Sequence, residues 1–513
     1  MPNKLQLDHI IFVLKGVLIG LIVGLIVSTF RWAIEKLLNL TTQLYRLSHQ
    51  NFIVLGLIFI INIVIGLIVG WLIYQQPHIS GSGIPEVEGQ LNNQLQTSWW
   101  KILCYKFLGG ILTLGTGLIL GREGPSIQLG AAVGQGWGKI FEKKDSNQKI
   151  TLAAGAAGGL AAAFNAPLAS TFFILEEIYH NFSPLIWMSA LASSLSADFV
   201  SMKLFGLTPV LHLGQIPNFP LNNYWILFII SIILGVCGYF YQLILLKMPQ
   251  IYHRIFPWLP RAFQGIVALI LIIPLGFWQP HLLGGGNNLI LNLNAVKNLP
   301  IITLVLIFGL RFIVSMIDYG SGLPGGIFLP ILSLGALLSF SLALVFIRLQ
   351  LLSPKYLVNF IVFGMVAFFA CIGKAPFTAI LLITEMVGSL NHLMPLALAA
   401  LIAYMTVDLL GGDPIYDSLL RKMLKENQPN DFSDNNQIFQ LTIFHNNPLV
   451  DHQIKEIYWT EPSLVLKIKR GEHEITPHGN TTIRVGDILV LTTTIQEYQR
   501  LKEKNVFFTS SHT

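Results

Sequence analysis

Long apolar segments, separated by short breaks that contain glycine and proline, make up most of the chain. No Asp, Glu, Lys or Arg occurs between Arg46 and Glu86 or between Lys203 and Lys247. Segments of about 20 apolar residues are long enough to cross a bilayer as helices. The pattern therefore predicts a polytopic helical membrane protein with apolar spans over residues 9–46, 51–74, 99–118, 187–206, 222–248, 262–280, 300–318, 355–373 and 376–410.

One break, GREGPSIQLG from Gly121 to Gly130, lies deep within this apolar region. Because proline is tolerated mainly in the first helical turn, the chain should break at Gly121–Gly124 and start a new helix near Pro125. The first amides of that helix lack partners and carry partial positive charge. This predicts a backbone anion site at membrane depth with Glu123 at its mouth. The alternative is a solvated turn, which the rarity of unpaired glutamate at this depth disfavours.

Three further breaks repeat this theme of glycine and proline before a helix start. GSGIPEVEG begins at Gly81 and adds the hydroxyl of Ser82, although Ser82 alone could equally be a turn residue. GSGLPGGIFLPILSLG begins at Gly320. GGDPIYDSLL begins at Gly411 and places Tyr416 in the first turn of the helix that follows.

A segment of small residues over 153–170, which favours close helix packing in lipid, leads into the sequence FFILEEI. Its adjacent Glu176 and Glu177 cannot share one helix face, because successive positions are about 100° apart. Their roles should therefore differ, and for Glu176 a simple surface-capping role stays open. Lys106 lies inside a predicted span, where a lone lysine usually faces protein or water.

A weak internal repeat links the two halves of the apolar region. Pro167 is followed nine residues later by Glu176, and Pro376 is followed nine residues later by Glu385. PSIQLG from Pro125 is likewise matched by PILSLG 205 residues later. Two structural repeats with broken helices are typical of transporters, although the sequence does not itself show that the repeats are inverted.

Composition supports a membrane protein and excludes several other classes. The chain is 53% hydrophobic and 11% charged, against about 25% charged residues in soluble domains. Residues 1–425 hold 24 Lys and Arg against 15 Asp and Glu, a net charge of +9, whereas residues 426–513 hold 8 against 11, a net charge of −3. A basic excess on the membrane part fits cytoplasmic retention of loops rather than binding to nucleic acid.

Chemistry-bearing motifs of enzymes and metal proteins are not found in the sequence. There is no HExxH, no serine-nucleophile motif and no obvious pair of catalytic aspartates, so neither an enzyme, nor a metal site, nor a cofactor is expected. The three cysteines, Cys104, Cys237 and Cys371, are far apart in apolar segments and are expected to be buried free thiols. A cation transporter could use intramembrane carboxylates, but it would not need repeated glycine-proline helix starts.

The C-terminal part has the composition of a small soluble α+β domain beyond a polar linker. The linker is predicted over residues 426–437. The predicted elements are strands over 438–443, 463–469 and 487–493, amphipathic helices over 448–457 and 495–503, and turns at 470–472 and 485–487.

The membrane part resembles the CLC family of chloride channels and chloride/proton antiporters. The resemblance rests on five stretches that follow one another in the order that the family has. They are GSGIPEVEG, GREGPSIQ, NAPLAS…ILEEI from Asn165, GGIFLP from Gly325 and the Tyr416 segment. It covers about residues 10–425 and assigns residues 1–425 to one transport domain. It implies an all-α inverted-repeat bundle with broken helices, assembled in the bilayer as a homodimer with one ion pathway in each subunit.

The resemblance also implies the site residues and the function. Because family channels commonly lack the internal glutamate and this chain has both glutamates, it implies chloride/proton antiport, with a passive voltage-gated-type chloride channel as the alternative. Serine in GSGIP resembles chloride-selective members, whereas proline there marks nitrate-preferring ones. The implied residues are Ser82 and Tyr416 as chloride ligands, backbone amides near Ile327 and Phe328, Glu123 as the external gate and Glu177 as the internal proton-transfer group.

Residues 438–506 are similar to TrkA-C domains, best in the run from Ile475 through GNTTIRVGDILVL. The implied role is binding of an unidentified small ligand or contact between subunits. We expect an integral protein of the plasma (inner) membrane with both termini in the cytoplasm.

Overall fold

The structure, a computed structural model, describes residues 4–426, 437–443, 447–457, 459, 463–470 and 473–494. The described residues form two compact units, one within residues 1–91 and 97–421 and the other within residues 92–96 and 422–513. Most of the predicted linker, the predicted helix over 495–503 and the centre of the predicted turn at 470–472 lie outside the described residues.

Helices account for most of the described chain, and eight helical segments are long and apolar enough to cross a membrane. This confirms the predicted class of polytopic helical membrane protein. The helices are α1 (Lys4–Ser48), α2 (Phe52–Gln75), α3 (Ile84–Leu91), α4 (Trp99–Gly115), α5 (Glu123–Phe141), α6 (Asp145–Phe164), α7 (Pro167–Phe173), α8 (Pro184–Phe205), α9 (Tyr224–Ile255), α10 (Gly265–Trp278), α11 (Asn287–Asn292), α12 (Ile301–Gly320), α13 (Phe328–Arg348), α14 (Leu357–Gly373), α15 (Pro376–Val387), α16 (Leu393–Leu409) and α17 (Ile415–Glu426).

Apart from shifts of a few residues at the ends of the predicted spans, two differences concern where a helix begins or is interrupted. Helix α5 begins at Glu123 rather than near Pro125, because a proline in the first turn removes an N–H that has no intrahelical acceptor. The predicted span over 376–410 is two helices, α15 and α16. Gly388 ends α15 in a left-handed conformation with φ of +76°, which glycine adopts without steric cost.

The cysteines are free, but only one of them is buried. Cys371 is buried, Cys237 is half-buried and Cys104 is exposed on the surface of α4. The prediction of burial was therefore wrong for Cys104. A membrane-spanning helix can turn apolar residues outward, so an apolar segment does not by itself indicate burial within the protein.

Close glycine contacts reproduce the sequence repeat in three dimensions. A Cβ added at Gly130 of α5 would overlap the carbonyl of Gly155 on α6, and one added at Gly335 of α13 would overlap the carbonyl of Gly364 on α14. The paired positions are 205 and 209 residues apart, the same offsets as in the sequence repeat. Small residues thus let two equivalent helix pairs approach closely.

The C-terminal unit contains a four-stranded antiparallel sheet of order β1-β4-β2-β3. Its strands are β1 (Gln437–Thr442), β2 (Leu464–Arg470), β3 (His473–Ile475) and β4 (Ile488–Thr493), of which β3 was not predicted. The predicted helix over 448–457 is instead a turn followed by a short 3-10 segment, Ile454–Glu456. Asp451 has φ of +64° and Gln453 bridges to Thr482, two features that a continuous helix does not allow.

Candidate functional site

Three of the glycine-proline breaks are joined to one another by backbone hydrogen bonds. Gly121 and Gly326 exchange N–H···O bonds of 2.6 and 2.7 Å, as an isolated antiparallel bridge. Gly81 donates to Gly322 at 3.2 Å and accepts from Gly325 at 2.9 Å. Since Gly121 and Gly326 come from equivalent positions of the two halves, this reciprocal bridge is the contact that a two-fold relation between the halves would produce.

Helices α3, α5 and α13 begin directly after these joined breaks. Ser82, the second residue of its break, lies against α5: a Cβ at Gly124 would overlap the Ser82 hydroxyl. The start of α17 joins them through aromatic contacts, since Phe173 packs edge-on against both Tyr416, at 6.2 Å, and Phe328, at 6.1 Å. The structure therefore brings together four helix N-termini, whose free amides favour an anion.

Glu123, the first residue of α5, is fully buried. Neither carboxylate oxygen makes a hydrogen bond of ordinary geometry among the described residues. The groups that stabilise its negative charge are the backbone amides of Arg122, Glu123 and Leu329 and the Arg122 guanidinium. A carboxylate in this position competes with a free anion for the same amides, and it leaves the position available when it is protonated and withdrawn.

The other residues implied as anion ligands are also buried around these helix starts. Ile327 is the N-cap of α13 and Phe328 is its first residue. Ser82 is 2% exposed and Tyr416 is 1% exposed. The Tyr416 hydroxyl has no hydrogen-bond partner in the described part of the chain. A hydroxyl that is buried without a partner is a donor available to an anion.

Glu177 lies on a π-helical turn, Ile174–Ile178, that follows α7. The amide of Tyr179 donates to the carbonyl of Ile174 at 2.8 Å, the five-residue spacing of a π-helix. The Glu177 side chain is 4% exposed, and its Oε1 has no hydrogen-bond partner among the residues described. Such turns are rare and occur frequently at functional sites. The π-helical turn Ile174–Ile178 directs the Glu177 carboxyl group into the protein.

Glu176 has a role that the sequence left open: it caps a helix of the other half. Its carboxylate accepts from the amide of Thr378 at 2.8 Å and from the Thr378 hydroxyl at 2.7 Å, at the start of α15. Glu385 of α15 in turn accepts from the amides of Leu168, at 3.1 Å, and Ala169, at 2.8 Å, at the start of α7. The matched Pro-to-Glu spacing was the sequence signal for this exchange of caps.

Two buried basic side chains, those of Lys106 and Arg311, each hold a loop in place by donating to its backbone carbonyls. The Lys106 Nζ donates to the carbonyls of Ile79 and Gly81, both at 2.8 Å, and so fixes the loop that carries Ser82. Arg311 lies 205 residues later and donates to the carbonyls of Leu282 at 2.6 Å and Gly284 at 3.2 Å. Sequence reasoning gave Arg311 no role. Within the described part of the chain, no three or more His, Cys, Asp and Glu side chains form a group that could hold a metal ion.

Comparisons with known proteins agree with this geometry. The family described as voltage gated chloride channel matches residues 65–408, and the TrkA-C domain matches residues 438–505. The H(+)/Cl(-) exchange transporter ClcA of Klebsiella pneumoniae (strain 342) is 33% identical over 426 residues, which are 80% of this chain and 88% of that protein. ClcA of Salmonella arizonae is 32% identical over 428 residues, with the same coverage of 80% and 88%.

Solved structures show the same fold. A slow cyanobacterial Cl⁻/H⁺ antiporter superposes with a TM-score of 0.76 at 32% identity, over 81% of this chain and 98% of that one. A CLC-type fluoride/proton antiporter superposes with a TM-score of 0.65 at 22% identity, over 79% of this chain and 96% of that one. The second likeness concerns the fold alone.

Proposed function

Because the chain belongs to the voltage gated chloride channel, or CLC, family, we propose that it is a secondary-active transporter that exchanges chloride for protons across a membrane. The observation that carries the proposal is the Glu123 carboxylate, buried at the start of α5 among the amides that would bind an anion. In liposomes, an outward chloride gradient should drive protons uphill. Passive chloride movement without proton movement would instead establish a channel.

The anion pathway follows from the converging helix starts. An anion that enters the bilayer core loses its water, and amides and hydroxyls can replace that water without a full positive charge that would trap the ion. In this scheme Ser82 and Tyr416 supply hydroxyl donors, and the amides near Ile327 and Phe328 supply the rest. No cofactor is required.

Proton coupling follows from the position of Glu123. Chloride and the Glu123 carboxylate compete for the same amides, so chloride can occupy the site when Glu123 is protonated and displaced. Glu177 then passes the proton between this site and the cytoplasm. In this scheme the buried Tyr416 hydroxyl donates to the anion near the point where the anion and proton routes come together.

Replacing Ser82 with proline should shift anion preference from chloride toward nitrate. Proline has neither a hydroxyl nor an N–H, so chloride loses a donor. We expect the chloride-to-nitrate flux ratio to fall about tenfold, the equivalent of about 1.4 kcal/mol for one hydrogen bond to an ion. Relative anion flux in liposomes measures this. Ser80→Ala is the matched control. It removes a serine hydroxyl two residues away that donates to the Gly322 carbonyl at 2.7 Å rather than to the anion. An unchanged ratio in folded Ser82→Pro protein would remove Ser82 from the site.

The family resemblance also supports a homodimer in which each subunit has its own pathway. We place the protein in the plasma (inner) membrane with both termini in the cytoplasm, as the basic excess of residues 1–425 favours. The C-terminal domain would bind a small ligand or join subunits, and it would modulate transport rather than form the pathway.

Truncation after Gln428 should therefore leave chloride flux in liposomes, because no proposed site residue lies beyond that point. A milder variant, Asp487→Asn, keeps the domain but weakens two 2.7 Å contacts with Arg470. It too should retain flux. Complete loss of flux in a well-folded truncated protein would show that the membrane part depends on the domain.

A further inference from the structure

A pocket of about 310 Å³ opens beside the start of α5. Its lining includes Glu35 of α1, Arg122 immediately before α5, Leu329 of α13, and Asn287 and Asn288 of α11. Arg122 precedes Glu123 in the chain, and the Leu329 amide acts on the Glu123 carboxylate. The pocket therefore adjoins the position that Glu123 occupies.

Arg122 presents unused donors in this pocket. Its side chain is 8% exposed, and its Nε and Nη2 are buried without a hydrogen-bond partner among the described residues. The great majority of buried hydrogen-bond donors in proteins have a partner. A guanidinium with two buried free donors, lining a pocket of this size, indicates an anionic ligand.

Glu35 occupies the remaining edge of the same guanidinium. The Arg122 Nη1 donates to the Glu35 Oε1 at 2.6 Å, and the Arg31 Nε donates to that oxygen at 3.1 Å. The Glu35 side chain is 42% exposed, so water can hydrate its carboxylate if it moves aside. Glu35 is thus a built-in negative charge that competes with any anion for Arg122 and can give way to it.

We propose that this pocket is an entrance site where the transported anion binds Arg122 in competition with Glu35. The inference rests on the proposed function and assigns a first stop outside the Glu123 position. An arginine alone would hold chloride tightly and slow its release. A neighbouring carboxylate weakens that attraction, so the ion is collected and then passed on.

Removing the competing charge should strengthen chloride binding. In Glu35→Gln the side chain keeps its shape and loses its charge. We expect the chloride concentration for half-maximal exchange to fall about fivefold, as for the loss of a partly exposed ion pair, with the proton-to-chloride ratio unchanged. Asp408→Asn is the matched control. It breaks the Lys374–Asp408 pair of 2.7 Å, outside the pocket, and should leave that concentration as in the parent.

Adding a charge should have the opposite effect. Asn288 is exposed at the pocket, so Asn288→Asp should fold and should raise the half-maximal chloride concentration about fivefold. Asn222→Asp, at an exposed position that does not line the pocket, is its control. This pair decides the question even if Glu35→Gln does not fold.

Exchange rates in liposomes over a series of chloride concentrations, with pH recorded at the same time, give all these values. Opposite shifts for Glu35→Gln and Asn288→Asp, with both controls unchanged, support the entrance site. Parent-like values for the pocket variants, or equal shifts in the controls, overturn it. Failure of the proposed function looks different, because the parent itself would then move chloride without driving protons.

Discussion

Replacement of Glu123 with alanine is expected to abolish chloride-driven proton movement while chloride still crosses the membrane. The carboxylate lies among the amides of Arg122, Glu123 and Leu329, so it serves in our proposal both as proton carrier and as plug. Alanine can neither carry a proton nor occupy the amides, which leaves the anion path open. Chloride and pH electrodes in the same liposome suspension should record chloride flux with no uphill proton signal.

The matched control is Glu142→Ala at the other end of the same helix. Glu142 is the C-cap of α5, directly after its last residue, and pairs with Lys15, so its replacement removes a glutamate far from the anion site. We expect this variant to keep the parent's proton-to-chloride ratio. Persistent uphill proton movement in Glu123→Ala, or loss of chloride flux in a folded Glu123→Ala protein, would contradict the assignment.

Much of this site could be predicted from sequence because its chemistry is local. Glycine and proline beside a polar residue force the chain to break and restart as a helix, and this places Glu123 and Tyr416 in first turns. The repeated spacing from Pro167 to Glu176 and from Pro376 to Glu385 also survives in the structure, as two caps exchanged between the halves. Local rules and a repeat were sufficient for these features.

What the sequence did not indicate depends on contacts between distant residues. Arg311 appeared only as a charge within a span, and its carbonyl partners come from a loop nearly thirty positions earlier. The pairing of Glu35 with Arg122 joins residues 87 positions apart. No periodicity or motif encodes such partners, because the tertiary fold alone brings them together.

The C-terminal domain shows the opposite failure, in which a local pattern was misleading. Residues 448–457 place Val450, Ile454 and Ile457 at the i, i+4, i+7 spacing that is typical of an amphipathic helix. The fold instead uses Leu449 and Ile457 as core residues under the sheet and pairs Gln453 with Thr482. The same pattern of side chains is compatible with a helix and with the observed turn, and tertiary packing decided between the two.

The last expected result concerns Glu177, whose replacement with glutamine should uncouple chloride from protons. Glutamine has nearly the same shape but cannot ionise, so the π-helical turn Ile174–Ile178 can keep its backbone while the proton relay is lost. Glu123 remains to open and close the anion site. Chloride should therefore still cross, and the uphill proton signal should fall to background in simultaneous chloride and pH recordings.

Glu176→Gln is a sharp control, because it makes the same chemical change one residue earlier. The Glu176 carboxylate caps α15 through the Thr378 amide at 2.8 Å, and a glutamine oxygen can still accept from that amide. Coupling should persist in this variant if Glu176 acts as a cap and Glu177 as the relay. Proton movement at the parent's ratio in Glu177→Gln would refute the relay. Equal loss of coupling in both variants would show that the effect arises from disturbing the turn rather than from removing the ionisable group at Glu177.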